Sequence, residues 1–541
     1  MDASSEHHLR SIASAEISRR QMLGGLAGLA AIAGLTAACG GSTSPQGSSS
    51  PPTGKPKYGG NFRLGASGGG AKDMFDGQNF LDVPDQARLV SSFETLMLFN
   101  DQYQITTDGA LAEHVSQDNP KQWTIHLRKG IEFSNGKTLG SDDVIYSLQR
   151  ILDKKNGLPG YAQLNSIDPN GIKAMDKYTV RLSLLTPNSV LDQGLAQYNN
   201  GIVPVGYQTY PAKQSGTGPY VLQSFTKGQR SVSTRNKNYW QSGQPYFDQL
   251  TIIDFPDPTA QVNALLSGQI DAMTSVPYGQ ISTIKGHSGF EILDSKTAEW
   301  IPLCMAIDLP PFNNNDVRQA MRYIIDRPQT IQQVVAGYGT VANDLFSEFD
   351  PDYDTGLPQR KQDLDKAKFL LKRAGAENLA VDLHTTNGTA GMVDLASVFA
   401  QQATGAGVKV TVHNDPNYYG SRYLKLPFSV DYWGTREYFA QVSQSMLPSS
   451  PFNETHWPPK SGTGSNYQSL YQQALGTTNA GLRKELIHEM QKMEYDFGGY
   501  VIPFFVDLVD AYSSKVSGFT PSKGTTPLGA FGHSFRTIWF N

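Results

Sequence analysis

The chain has 541 residues, of which 39% are hydrophobic, 10% aromatic and 17% charged, and its formal net charge is −4. That balance describes an ordinary globular protein. No basic stripe argues for nucleic acid, and beyond a short leader no apolar stretch argues for a membrane span, so the expected partner is a small molecule.

At the start of the chain, Ser18-Arg19-Arg20-Gln21-Met22-Leu23 reads as a twin-arginine export signal. The soft apolar run from Met22 to Ala38 ends in Leu35-Thr36-Ala37-Ala38-Cys39, which resembles a lipobox. At roughly 17 residues, rich in Gly and Ala, the run is short for a transmembrane anchor of about 20. The expectation is that residues 1–38 are removed and Cys39 is lipidated. The protein would then work on the outer face of the cytoplasmic membrane, held only by the lipid. Export by the twin-arginine route implies folding before crossing. Residues 39–57 follow as a Gly/Ser/Thr/Pro tract that cannot bury enough surface to order itself, hence a flexible tether. The second of the two cysteines, Cys304, sits in the apolar run Ile301-Pro302-Leu303-Cys304-Met305 and reads as a core thiol, with no disulfide expected.

About 480 residues remain, too many for one core, so two or three domains are expected. Tyr58 to Gly65 reads as a short strand closed by glycines, and Trp123 to Arg128 alternates as a half-buried strand should. Asn135-Gly136 is a hairpin turn signal. Ser141 reads as an N-cap ahead of Asp142 and Asp143, with Val144, Leu148 and Ile151 at helical spacing. Further helices are expected over Val317–Val335, Leu364–Ala374, Leu395–Thr404 and Leu482–Asp496. Further strands are expected over Thr179–Leu184, Gln249–Asp254, Ala380–Thr385 and Val408–His413. Such alternation implies α/β lobes.

The order of segments carries a resemblance. Ala110-Leu111-Ala112-Glu113 precedes Trp123 to Phe133, then Asn135-Gly136-Lys137 and Asp142-Asp143-Val144. Gly216-Thr217-Gly218-Pro219-Tyr220, Arg235 to Trp240, Leu265 to Asp271, Val317-Arg318-Gln319-Ala320, Asp365 to Leu371 and Tyr500-Val501-Ile502-Pro503 follow. Together these resemble family 5 extracellular solute-binding proteins, the peptide, dipeptide and nickel binders of ABC importers. The resemblance implies a two-lobe periplasmic-binding-protein-like α/β fold with an inserted domain, and ligand enclosed between the lobes. Its implied boundaries are lobe I over 58–83, the inserted domain over 84–185, lobe I again over 186–300, lobe II over 301–505, and a return to lobe I over 506–541. It also implies a monomer that hands a small organic, peptide-like solute to permease subunits, without a cofactor.

Catalytic patterns fail on inspection. Gly65-Ala66-Ser67-Gly68-Gly69 fits a nucleophile elbow and follows a strand, but Gly70 to Asp73 opens no helix, so it reads as a cleft-edge loop. Gly130 to Thr138 has one residue too many for a phosphate loop. The ten histidines show no zinc-binding pattern, and no metal site is supported.

The ligand signal is Asp431-Tyr432-Trp433-Gly434-Thr435-Arg436-Glu437-Tyr438. Peptide binders of the family often carry an acid shortly after the matching tryptophan; here Thr435 and Arg436 stand there. A guanidinium fork suits carboxylate or phosphate, and Glu437 is placed to meet an amine. Trp300, Trp433, Trp457 and the Tyr418-Tyr419 pair fall in segments that would border the cleft, with His456 beside Trp457 as a donor. Each aromatic taken alone reads as core ahead of ligand contact. The leading function is capture of a peptide or peptide-like solute, with opine-like or glycosidic anions as the alternative and an exported hydrolase or a sensing lipoprotein as the competing classes.

Overall fold

A computed structural model describes residues 54–541 except Lys213, Gln214 and Thr463. The leader, Cys39 and the tether up to residue 53 lie outside the described residues.

An eight-stranded mixed sheet runs in the order Phe290–Trp300, Phe504–Ser513, Ala272–Met273, Asn61–Ser67, Gln249–Phe255, Arg230–Arg235 and Tyr220–Thr226. Gly339–Val341 pairs separately onto Phe504–Ser513. Asn61–Ser67 is parallel to both its neighbours, and its Phe62, Leu64 and Ala66 are wholly buried. A five-stranded sheet runs Lys409–Asn414, Ala380–Thr385, Phe428–Val430, Leu303–Met305 and Tyr500–Val501. Its core is closed by the helices Asn315–Ile324, Arg327–Val335, Leu364–Arg373 and Met392–Ala403. A four-stranded antiparallel sheet occupies residues 112–184. There Trp123, Ile125 and Leu127 alternate inward against the helix Ser141–Leu152, which buries Val144, Leu148 and Ile151.

Local chemistry explains most boundaries. Gly136, at φ +85°, makes the Asn135-Gly136 turn, with its N–H donating to the Phe133 carbonyl at 2.8 Å. The helix after it begins one residue earlier than Ser141 predicts. Gly140 is the cap, and its N–H donates to the Asp143 carboxylate at 3.1 Å. The single helix expected over Val317–Val335 is two. Pro328 has no N–H to continue the first helix, and Asp326 caps the second by accepting from Gln329 N–H at 3.0 Å. Gly268, at φ +72°, closes the helix Pro258–Leu266 before the buried pair Ala272–Met273.

The last segment, Pro527–Phe535, winds left-handed, with Leu528 to Ser534 all between φ 47° and 65°. L-residues disfavour that hand, and nothing in its surroundings accounts for it.

Candidate functional site

The chain leaves the eight-stranded sheet at Trp300, enters the five-stranded sheet at Leu303, and returns between Val501 and Phe504. At this crossing the backbones of Trp300 and Trp433 exchange two hydrogen bonds of 2.9 Å, and their rings stack 6.1 Å apart. Phe346 stacks on Trp300 at 5.7 Å and Tyr500 meets it edge-on at 5.1 Å. The Trp433 indole N–H donates to Glu454 at 3.0 Å. These tryptophans are therefore packed into the crossing.

Trp433 fixes the loop that follows. Thr435 Oγ1 accepts from Ala298 N–H at 3.0 Å, and the Tyr103 hydroxyl donates to the Thr435 carbonyl at 3.4 Å. Arg436 is half-buried, its guanidinium 5.1 Å from the centre of the Trp433 ring. It donates only a 3.4 Å bond to the Gly434 carbonyl and makes no ion pair among the described residues. Its positive charge acts on Tyr103, Tyr198, Glu299 and Tyr432. Glu437 is 4% exposed, and neither carboxylate oxygen has a hydrogen-bond partner in good geometry. Burial pushes its carboxyl up to about 8, with Asp350 and Asp192 adding to the effect and Arg436 opposing it.

The other residues expected from the sequence lie elsewhere. Trp457 is wholly buried against Tyr467. The Tyr418 hydroxyl is buried and donates to the Val430 carbonyl at 2.7 Å. The ring nitrogens of His456 are taken up by Asp308 and, at 2.9 Å, by the Leu424 carbonyl.

Beside Thr435 opens a cavity of about 140 Å³. Its floor is Val90 and the residues Phe93 to Thr95 that follow the helix Val83–Ser92; its walls are Phe99, Tyr103 and Tyr198. His533 and Arg536 line the far end. Glu94 is held there by the Tyr239 hydroxyl at 2.7 Å and the Trp240 indole N–H at 2.8 Å, with Arg536 3.9 Å away. Burial raises the Glu94 carboxyl above its usual range. Sequence reasoning passed over Tyr103, Tyr198, Glu94 and Arg536. Only Tyr239 and Trp240 stood in a motif, and they turn out to anchor Glu94.

Two chemical alternatives find little here. Ser67 ends the strand Asn61–Ser67, and a turn follows it instead of the helix that a nucleophile elbow requires. Asp73, Asp82 and Asp85 bring carboxylate oxygens within 4.8 Å of one another. The buried Arg88 stands among them, 3.0 Å from Asp85 and 3.6 Å from Asp73, and the N–H groups of Gly69, Gly70 and Met74 donate to them.

The class follows from comparison with known proteins. The model of the bacterial extracellular solute-binding proteins, family 5 (middle region), matches residues 106–453, and the chain belongs to that family. The glutathione-binding protein GsiB of Escherichia coli K12 is 25% identical over 441 residues, covering 78% of this chain and 85% of GsiB. The solved binding protein AgaA from A. tumefaciens R10, in complex with agropinic acid, is similar at TM-score 0.74 and 22% identity, over 89% of this chain and 99% of AgaA. DppA from Helicobacter pylori, in complex with the peptide STSA, is similar at TM-score 0.73 and 20% identity, over 90% of this chain and 98% of DppA. The fold is thus the α/β periplasmic-binding-protein fold. Proteins of this family are extracytoplasmic solute-binding components of ABC importers, working with permease subunits, and its members matched here are binding proteins and not enzymes.

Proposed function

We propose that this protein captures a peptide or peptide-like small molecule bearing an anionic group and delivers it to an ABC permease. The observation that carries the reading is Arg436, a half-buried guanidinium over the Trp433 ring that makes one weak hydrogen bond to its own loop and directly follows Thr435, which lines the cavity. Such a fork binds carboxylate in two parallel bonds, and more strongly where water is scarce. Glu437, buried next to it with no partner in good geometry on its carboxyl, suits an amine on the same solute. GsiB is named for glutathione binding, and the AgaA and DppA structures hold agropinic acid and a peptide. The AgaA complex gives specific support to the second reading, an opine-like anion.

In this reading the eight-stranded and five-stranded sheets are the centres of two lobes that close on the solute, with lobe I built from residues 58–83, 186–300 and 506–541. The protein acts as a monomer outside the cell, exported by Arg19-Arg20 and anchored through Cys39. Mass spectrometry of protein purified from its own host tests the solute class. An acidic small molecule that co-purifies, and is lost in Arg436→Ala, supports the reading. A co-purified molecule without an acidic group, retained in that variant, overturns it.

A further inference from the structure

The structure assigns to Asp431 and Glu454 a single shared proton that positions Trp433 and the loop after it, and makes that placement depend on pH. Charge is the first argument. Both residues are 3% exposed, and their carboxyl groups hydrogen-bond to each other. Two ionised carboxylates offer only acceptors, so such a bond needs a proton between them. No cation stands by to balance a second charge. Of the neighbouring charged groups, Arg422 lies 3.6 Å from Asp415, His456 is bound to Asp308, and Arg436 lies over the Trp433 ring.

The second argument is the donor set. Asp431 accepts from the Tyr419 hydroxyl at 3.1 Å, the Tyr423 hydroxyl at 2.8 Å and the Tyr432 N–H at 2.8 Å. Glu454 accepts from the Tyr500 hydroxyl at 2.6 Å and the Trp433 indole N–H at 3.0 Å. Cys304 and Tyr418 also face the pair, and burial, with the pair's own charge, pushes these thiol and phenol groups up, so they stay neutral. Neutral donors can hold one buried negative charge; a second without a counter-ion is far more costly. The third argument is position. Glu454 holds the Trp433 ring while Trp300 holds its backbone, and Thr435, two residues on, lines the cavity. Burial raises both carboxyls above their usual range, so the folded chain keeps a proton that the unfolded chain has released. Stability from the pair is full below the usual carboxylate range and is lost as pH rises through the raised value. The proton then goes to solvent, the two charges repel, and the indole loses its fixed acceptor. This holds whatever the solute is.

The test uses the whole chain in mild detergent, isotope-labelled at its six tryptophans, and follows the indole N–H signals by NMR from the usual carboxylate range into alkaline pH. Trp433→Phe assigns the Trp433 signal. That signal is expected to move with a midpoint above the usual carboxylate range. Glu454→Gln, which keeps the shape but cannot ionise, is expected to abolish the movement. Asp431→Asn is expected to shift the midpoint to lower pH, because the opposing charge is gone. The Trp240 signal, whose acceptor is Glu94, is expected to behave alike in all three proteins. A merely structural pair of acids would give no such titration. A wild-type spectrum in which no indole signal moves overturns the assignment without any variant. A Trp433 midpoint that neither Glu454→Gln nor Asp431→Asn changes overturns it equally.

Discussion

Arg436 is where a single substitution says most about the solute. In the proposed reading its removal strands an anionic group of the solute in a place poor in water, so Arg436→Ala is expected to cost about 2–5 kcal/mol of affinity. Arg436→Lys restores part of that, since an ammonium keeps the charge without the planar fork. Calorimetry with the co-purified solute measures both. Its neighbour Glu437 sets a pH dependence. The carboxyl is pushed from 4.5 up to about 8, so the folded protein holds a proton that the unfolded chain has already released. Stability from this group is full below pH 4.5 and falls as pH rises toward 8, above which the loss is complete. Glu299, Glu494 and Asp510, each pushed by burial to about 7, act with the same sign. Glu437→Gln should flatten this part of the profile of unfolding temperature against pH, and raise stability at pH 8. Asp344 is the opposite case. It is wholly buried and accepts from Arg327 and Arg360 at 2.8 Å, and these charges hold its carboxyl below the usual range against the burial that would raise it. Asp344→Ala leaves two buried guanidinium groups unpaired and should cost about 3–5 kcal/mol in denaturant unfolding.

Among elements, the turn at Gly216 to Gly218 shows what a short motif encodes. A Cβ at Gly216 would stand 1.9 Å from the Ser92 carbonyl oxygen, and the Gly218 N–H donates to that oxygen at 3.0 Å. The glycines are there to let two backbones touch at the end of the helix whose continuation floors the cavity. Gly216→Ala is expected to destabilise by about 1–3 kcal/mol or more, read in denaturant unfolding, and to weaken solute binding with it. Elements with strong local signals were legible in the sequence. Thr179–Leu184 and Ala380–Thr385 form strands over the expected residues, because alternation and flanking turns specify them locally. Val317–Val335 was misread because its apolar period continues across the break, and Pro328 outweighs the period. Ser141 is not the cap because Gly140 takes that place, held by the bond from its N–H to the Asp143 carboxylate three residues on.

At the scale of the molecule, the two largest sheets are joined by adjacent crossings at Trp300 and Phe504, and that arrangement predicts how it responds to solute. Closure should reduce the radius of gyration in small-angle scattering. It should also change tryptophan emission, because Trp300 and Trp433 stack at the joint. Unchanged scattering with saturating solute would count against closure. The cavity was the least legible part. The Trp433 to Glu437 loop announced itself as a continuous string, whereas Glu94 and Tyr103, Tyr198 and Arg536 come from three distant segments with no shared pattern. Only the fold brings them to one place. Of the aromatics named as possible cleft residues, Trp300 and Trp457 are the ones most completely buried.

The position of Phe504–Ser513 also bears on the timing of biosynthesis. This strand lies inside the eight-stranded sheet, between Phe290–Trp300 and Ala272–Met273, yet the ribosome makes it long after both. Until it arrives, the nascent sheet has an open slot with two unpaired strand edges, so the protein cannot finish folding while most of it is being translated. A secretion route that threads the chain through as it emerges would meet an unfinished sheet, whereas one that waits for the completed protein would not. That order of events fits the twin-arginine leader proposed for it, by which the sheet would close before export.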